Sequence, residues 1–258
     1  GGFGATLEMC AAYNPALAGF VTTNSPCATG DGIVMAQAAG AATVDMEQIQ
    51  IHPTVYQETS LMVTESVRGG GAILVNAAGE RFINEMETRD VVSAAEIAQE
   101  GGYAYLVFDQ AQRDNLSAIN NYVSNGLTVQ ADTIEALATE MGVDAVSLKA
   151  TVETWNKAVA EKNDATFGRT TGMDVDISVA PFYAIQIAPG IHHTMGGVKI
   201  DTKTEVLDGE GVAIPGLFAA GEVTGGVHGA NRIGGNAVAD IIVFGRIAGE
   251  SAAQYAGK

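Results

Sequence analysis

The chain has 258 residues, 47% of them hydrophobic, enough to bury one large core or two modest ones. Thirty acidic residues against 13 basic ones leave a formal net charge of -17, which argues against nucleic acid as a partner, although a few convergent Arg and His residues can still hold a small anion. No window approaches the roughly 18 continuous apolar residues of a membrane span. Cys10 and Cys27 lack the spacing of a disulfide framework or a zinc site, so they read as two buried thiols and no metal is expected.

In chain order, Gly1-Gly2-Phe3-Gly4 reads as the tight end of a strand whose body is missing, so the chain is expected to be a fragment. Thr29-Gly30-Asp31-Gly32 reads as a turn feeding an Ala-rich helix that ends at Gly40. Residues 44–54 predict a strand that stops at Pro53 and runs into a loop carrying His52. Residues 72–76 predict a strand, 77–80 a hairpin turn and 81–83 its return. A helix is predicted over 91–99, a strand over 104–109, and a helix over 132–141 capped by Asp132 or Thr133. Residues 144–162 have the spacing of an amphipathic helix with Trp155, the sole tryptophan, on its apolar face. Gly168 to Ser178 is polar and aperiodic and reads as a hinge. From Phe182 onward short strands and glycines are predicted, and an apolar helix over 236–253 closes the chain.

Three clusters carry chemistry. Residues 216–237 contain an apolar strand, a glycine-dense loop holding Glu222, His228, Asn231 and Arg232, and a helix start near Asn236. Such a loop lets backbone approach a flat ligand, and the helix start offers unpaired N–H groups and a positive dipole end. His192-His193-Thr194-Met195-Gly196-Gly197 sets imidazoles on a tight loop. The third cluster joins His52-Pro53-Thr54, Met62, Thr64-Glu65, Arg68-Gly69-Gly70-Gly71 and Glu87-Thr88-Arg89-Asp90, in which Arg68 and Arg89 stand beside carboxylates that can hold them.

These motifs resemble the soluble fumarate reductases of the flavocytochrome c type, relatives of the succinate dehydrogenase flavoprotein. The match includes T-G-D-G at Thr29, H-P-T at His52, T-E-x-x-R-G at Thr64, G-E-R-F-x-N-E at Gly79, T-R-D at Thr88, H-H-T-M-G-G at His192 and A-A-G-E-V-T-G-G-V-H-G-A-N-R-x-G-G-N-A at Ala219. It covers essentially the whole chain. The resemblance implies an α/β and α+β fold: the C-terminal part of a Rossmann-like FAD-binding domain (residues 1–54 and 179–258) with an inserted mixed α+β capping domain (55–178). It implies FAD as cofactor, fumarate as dicarboxylate substrate, a haem or flavin module as electron donor in anaerobic respiration, and a periplasmic or cell-surface location.

Carried over residue by residue, the resemblance implies that His192, Arg232 and Gly235 bind one substrate carboxylate and that His52, Thr64 and Glu65 bind the other. A proton would come from Arg89, relayed by Glu65 and Arg68. Residue chemistry alone would nominate a His or Glu as the acid, because a guanidinium ordinarily holds its proton above about pH 12. Asp31, His193, Glu222, Ala237 and Val238 would approach FAD. The G-x-G-x-x-G pyrophosphate fingerprint is not found in the chain. Two alternatives stand beside fumarate reduction: reduction of another unsaturated acid such as urocanate, and a non-catalytic module that holds no FAD.

Overall fold

Residues 1–257 are described in a computed structural model of the chain, in which helices and antiparallel strands mix throughout. In chain order the helices are α1 (Leu7–Tyr13), α2 (Asp31–Ala38), α3 (Glu65–Gly69), α4 (Arg89–Ile97), α5 (Gln110–Asn115), α6 (Ala118–Ser124), α7 (Ile134–Met141), α8 (Ala145–Glu161) and α9 (Asn236–Ala256). The strands are β1 (Thr43–Val44), β2 (Ile49–Tyr56), β3 (Leu61–Met62), β4 (Ile73–Val75), β5 (Ala104–Asp109), β6 (Val129–Ala131), β7 (Phe182–Thr194), β8 (Gly197–Val198), β9 (Glu205–Leu207) and β10 (Ala213–Phe218). The chain divides into two units, Gly1–Ile51 with Ile191–Lys258, and His52–Gly190, so that it passes from one to the other within β2 and again within β7. The passages lie at 51/52 and 190/191, against the expected 54/55 and 178/179.

The second unit is organised by a sheet of order β3-β2-β7-β5-β4, with β6 also paired to β7. Because strand side chains alternate between faces, the register Ile73↔Val107↔Ala184 and Leu74↔Leu106↔Ile185 sends one set to each side. Ile73, Val75, Val107 and Ala184 pack with Leu137 of α7 and Leu148, Val152 and Trp155 of α8. Leu74, Leu106, Phe108, Tyr183 and Ile185 pack on the other side with Val67 of α3, Val92 of α4 and Ile119 of α6. Burying each such side chain stabilises by about 1.5–3 kcal/mol relative to exposure. Helices α7 and α8 start where side chains accept orphan N–H groups: Thr133 Oγ1 from Ala136 N at 3.1 Å, and Asp144 Oδ1 from Ser147 N at 2.8 Å.

The first unit has a smaller core of Phe3, Cys10, Leu17, Ile33, Met46, Ile191, Val198 and Val206. Its strands form two antiparallel pairs, β1 with β8 and β9 with β10. Close backbone approach explains two glycines here: a Cβ on Gly197 would strike the Val223 carbonyl, and one on Gly225 would lie 2.5 Å from Val44 O. Helix α9 keeps Val238, Ile241 and Ile242 more than half exposed.

Five expectations are corrected. His52 and Pro53 lie inside β2, both buried, because β-branched residues continue the strand beyond them to Val55 and Tyr56, which pair with β3. Instead of short strands after Phe182, β7 runs 13 residues through Pro189 and Gly190, lying in the sheet between β2 and β5, with β5 and β6 paired to its residues 182–187. The return strand at 81–83 reduces to one bridge, Val75↔Arg81, since the Arg81 side chain turns into a buried ion cluster. The segment Gly168 to Ser178 lies within the second unit, anchored by Arg169, whose side chain is fully buried. Cys27 is exposed, in the turn closed by Ala28 N donating to Ser25 O; only Cys10 is buried.

Candidate active site

In the second unit, two short helix starts meet. Thr64 is the N-cap of α3: its hydroxyl accepts from Ser66 N at 3.5 Å, and its own N–H donates to the Tyr122 hydroxyl at 3.0 Å. Glu65 is therefore the first residue of α3, and Arg68 follows three positions on, so both occupy one helical face. Thr88 caps α4 and makes Arg89 its first residue. Arg89 Nε and Nη2 donate to the two oxygens of Glu65, both at 2.8 Å, the bidentate fork that fixes a guanidinium plane. Arg68 Nη2 donates to Glu65 Oε1 at 3.5 Å. The three groups form a continuous chain in which Arg68 and Arg89 are buried and Glu65 is 39% exposed.

Arg68 is held from behind by a cluster that sequence reasoning left without a role. Its Nη1 donates to the Glu85 carbonyl at 2.6 Å, and its own carbonyl accepts from Arg169 Nη2 at 2.6 Å. The fully buried Glu85 carboxylate takes a fork from Arg81 at 2.8 Å on both oxygens and a third bond from Arg169 Nη1 at 3.0 Å. Arg81 also donates to Asp164 at 3.0 Å. Trp155 lies against both guanidinium planes, 4.8 Å from Arg81 and 4.5 Å from Arg169. The quoted G-E-R-F-x-N-E motif thus contributes support for Arg68, and its Arg81 and Glu85, four residues apart, were the available signal. Burial lowers the proton affinity of Arg68 below the ordinary guanidinium value, with Glu65 opposing the shift.

His52 is fully buried in β2. Its Nδ1 lies 3.3 Å from Thr54 N and from Thr54 Oγ1, and that hydroxyl gives its proton to Val63 O at 2.7 Å. Nδ1 must then accept, so a neutral His52 carries its proton on Nε2.

In the first unit, His192 and His193 end β7. His192 Nδ1 meets Thr23 Oγ1 at 2.8 Å, and Thr23 Oγ1 also reaches Ile191 O at 3.1 Å. His193 is buried, its Nδ1 3.5 Å from Glu222 Oε1 and its ring edge-to-face with His228 at 5.4 Å. His228 Nε2 lies 3.2 Å from Asp240 Oδ2. Glu222 Oε1 accepts from Thr194 N at 2.9 Å and from Thr194 Oγ1 at 3.2 Å. Arg232 is buried, and its carbonyl is tied by Gln50 Nε2 at 2.7 Å, which also donates to Asn231 Oδ1 at 2.6 Å. Gln50 was not singled out in the sequence, where it is one polar residue of a strand.

Asp31 is exposed at the first position of α2, while Ala237 and Val238 lie in the first turn of α9. The N-caps of these helices are Gly30 (φ 79°) and Gly235 (φ 86°), and neither helix has a side-chain cap. A Cβ added to Gly235 would meet nothing within 4 Å. Uncapped N–H groups at the start of a 21-residue helix, and in the same unit a carboxylate seated on backbone, suit a flat ligand with hydroxyls and anionic edges. The structure thus brings together Thr64, Glu65, Arg68 and Arg89 within the second unit, and His193 with Glu222 within the first. No cluster of His, Cys, Asp and Glu able to hold a metal occurs among the described residues.

Residues 1–238 match the family described as FAD binding domain. The chain is 55% identical over 256 residues to the NADH:fumarate oxidoreductase of Klebsiella pneumoniae (strain 342), covering 99% of this chain and 28% of that protein. It is 50% identical over 258 residues to the fumarate reductase (cytochrome) of Shewanella frigidimarina, covering 100% of this chain and 45% of that protein. Among solved structures, the open conformation of a flavocytochrome c3 fumarate reductase superposes with a TM-score of 0.79 at 46% identity, covering 99% of this chain and 45% of that one. The chain thus spans less than half the length of these relatives.

Proposed function

The chain belongs to the FAD-binding-domain family, and on that premise we propose that it is the catalytic part of an FAD-dependent fumarate reductase, reducing fumarate to succinate. The observation that carries this reading is the Arg68–Glu65–Arg89 chain, in which a buried Arg is oriented by a carboxylate and backed by a second buried Arg. Both relatives named above are fumarate reductases by name. FAD, reduced and bound, would supply the hydride. Glu222, Ala237 and Val238 suit its hydroxyls and its electron-rich edge, with Asp31 and His193 in the same unit.

The resemblance assigns one substrate carboxylate to His192, Arg232 and Gly235 and the other to His52, Thr64 and Glu65. A neutral His52 presents an N–H donor from Nε2, the polarity a carboxylate needs. Arg89 would deliver one proton to the substrate carbon opposite the hydride. The Glu65 fork keeps the guanidinium plane fixed while that proton leaves, and Glu65 can return a proton taken from Arg68, whose burial lowers its affinity for it. In this reading the unit His52–Gly190 is the capping domain and the other unit the FAD-binding part.

The names of the relatives include both a cytochrome and an NADH oxidoreductase, which supports a haem or flavin module as electron donor. None of the described helices is long and apolar enough to cross a membrane. The resemblance favours work in the periplasm or at the cell surface. Turnover of fumarate and of urocanate by the flavin-loaded protein, with reduced methyl viologen as donor, tests the substrate. Fumarate is expected to be preferred; preference for urocanate overturns the reading.

A further inference from the structure

Helix α4 carries a buried polar stripe that the proposed reaction leaves unused. Its inward face is Arg89, Val92, Ser93 and Glu96, the i, i+3, i+4, i+7 spacing of one helical side. Glu96 and Ser93 are fully buried, and neither Glu96 oxygen nor Ser93 Oγ has a hydrogen-bond partner within the protein. A carboxyl in such a place costs stability that Leu would not, because its polar atoms are desolvated without compensation. The charged group acting on Glu96 from another element is Arg68 of α3, whose Nε is likewise buried without a partner. Arg68 in turn faces Glu65, Arg89 and Glu85.

We propose that Glu96 is a positioning residue for proton delivery: a buried carboxyl group on the same face of α4 as Arg89 that resupplies the Arg68–Glu65–Arg89 chain. The inference rests on the fumarate reductase reading. Burial holds the Glu96 carboxyl well above the usual carboxylate range, with Arg68 opposing that shift. When Arg89 gives a proton to the substrate, one passes from Arg68 through Glu65 to Arg89, and one passes from the Glu96 acid to Arg68. The products of that step are the Glu96 carboxylate and a recharged Arg68. A proton from solvent water then restores the acid. The proton that Arg89 gives up forms a C–H bond on the substrate; along the relay itself only O–H and N–H bonds break and form, and no electrons are transferred. The same lowered affinity that lets Arg68 release a proton would otherwise leave it slow to recover one, which is the need that Glu96 meets.

Isotope-edited infrared spectroscopy with labelled glutamate, on the flavin-loaded protein and its Glu96→Gln variant, tests the charge state directly. The expected result is a neutral carboxylic acid band at neutral pH that the substitution removes. In the same samples kcat for fumarate is expected to fall about tenfold or more, with KM changed by less than about twofold, and the pH profile of kcat to shift. The unsubstituted protein alone decides the charge state if the variant fails to fold: absence of a neutral buried carboxyl overturns the proposal. An unchanged kcat and pH profile in Glu96→Gln, with an active parent, overturns the relay and leaves the function intact. A parent unable to reduce fumarate removes both.

Discussion

Arg89 and Glu65 are 24 residues apart in sequence, yet each is the first residue of its helix and they meet through two N–H···O bonds of 2.8 Å. The carboxylate thereby does two things. It fixes the plane of the guanidinium, and it links that guanidinium to Arg68 at 3.5 Å.

Replacing Glu65 by Gln keeps the shape and removes the charge and half of the acceptor pairing. The kcat for fumarate is expected to fall about 10²–10⁴-fold, the range of a proton-transfer partner. Steady-state kinetics read this, and flavin absorbance should stay at the parent level, because Glu65 lies in the unit that does not carry Glu222.

Glu85 is fully buried among Arg81 and Arg169, so removing it leaves guanidinium charge uncompensated. Glu85→Ala is expected to lose about 3–5 kcal/mol of unfolding free energy, the cost of breaking a buried pair from one side. A denaturant titration of the variant checks it. A loss below about 1 kcal/mol would show that the cluster is not what holds Arg68.

How much of this was legible follows from where each signal lies along the chain. Helix α8 and the burial of Trp155 were readable because apolar spacing and the Asp144 cap are local. So was the start of α9 at Asn236, which the glycine loop announces. The long strand β7 was not, because Pro189 and Gly190 locally oppose a strand that is set by its place in the sheet between β2 and β5. Resemblance nominated Glu65 and Arg89, but their fork joins two helix starts and has no local signature. Glu96 escaped notice because a charged residue inside a helix ordinarily faces water. Its distance of seven positions from Arg89 was the sign that it shares the buried face.

The raised affinity of Glu96 for its proton makes stability depend on pH with a definite sign. The folded state keeps the proton that the unfolded chain releases above its ordinary value of 4.5, so this group's contribution to stability falls as pH rises from there to its folded value. Glu96→Gln carries no such penalty. The Tm of the variant minus that of the parent is expected to be smallest at acid pH and to grow toward neutrality; thermal melts across that range test it, and a difference independent of pH contradicts it.

The two thiols should react very differently. Burial pushes the Cys10 thiol up to about 11, whereas Cys27 is exposed on its turn. Iodoacetamide at neutral pH is expected to label Cys27 in the folded protein and Cys10 only after denaturation, as peptide mass spectrometry would read. Equal labelling of both in the folded protein would contradict the packing of the core around Phe3 and Cys10.

The most direct test of the account is the activity of the flavin-loaded Arg89→Ala variant. Fumarate reduction with reduced methyl viologen is expected to fall by about 10³-fold or more, because the proton donor is gone while the rest of the chain stands. Flavin absorbance and the thermal transition of the first unit, Gly1–Ile51 with Ile191–Lys258, should be retained. A variant that binds flavin and keeps most of the parent's turnover would show that the proton does not come from Arg89.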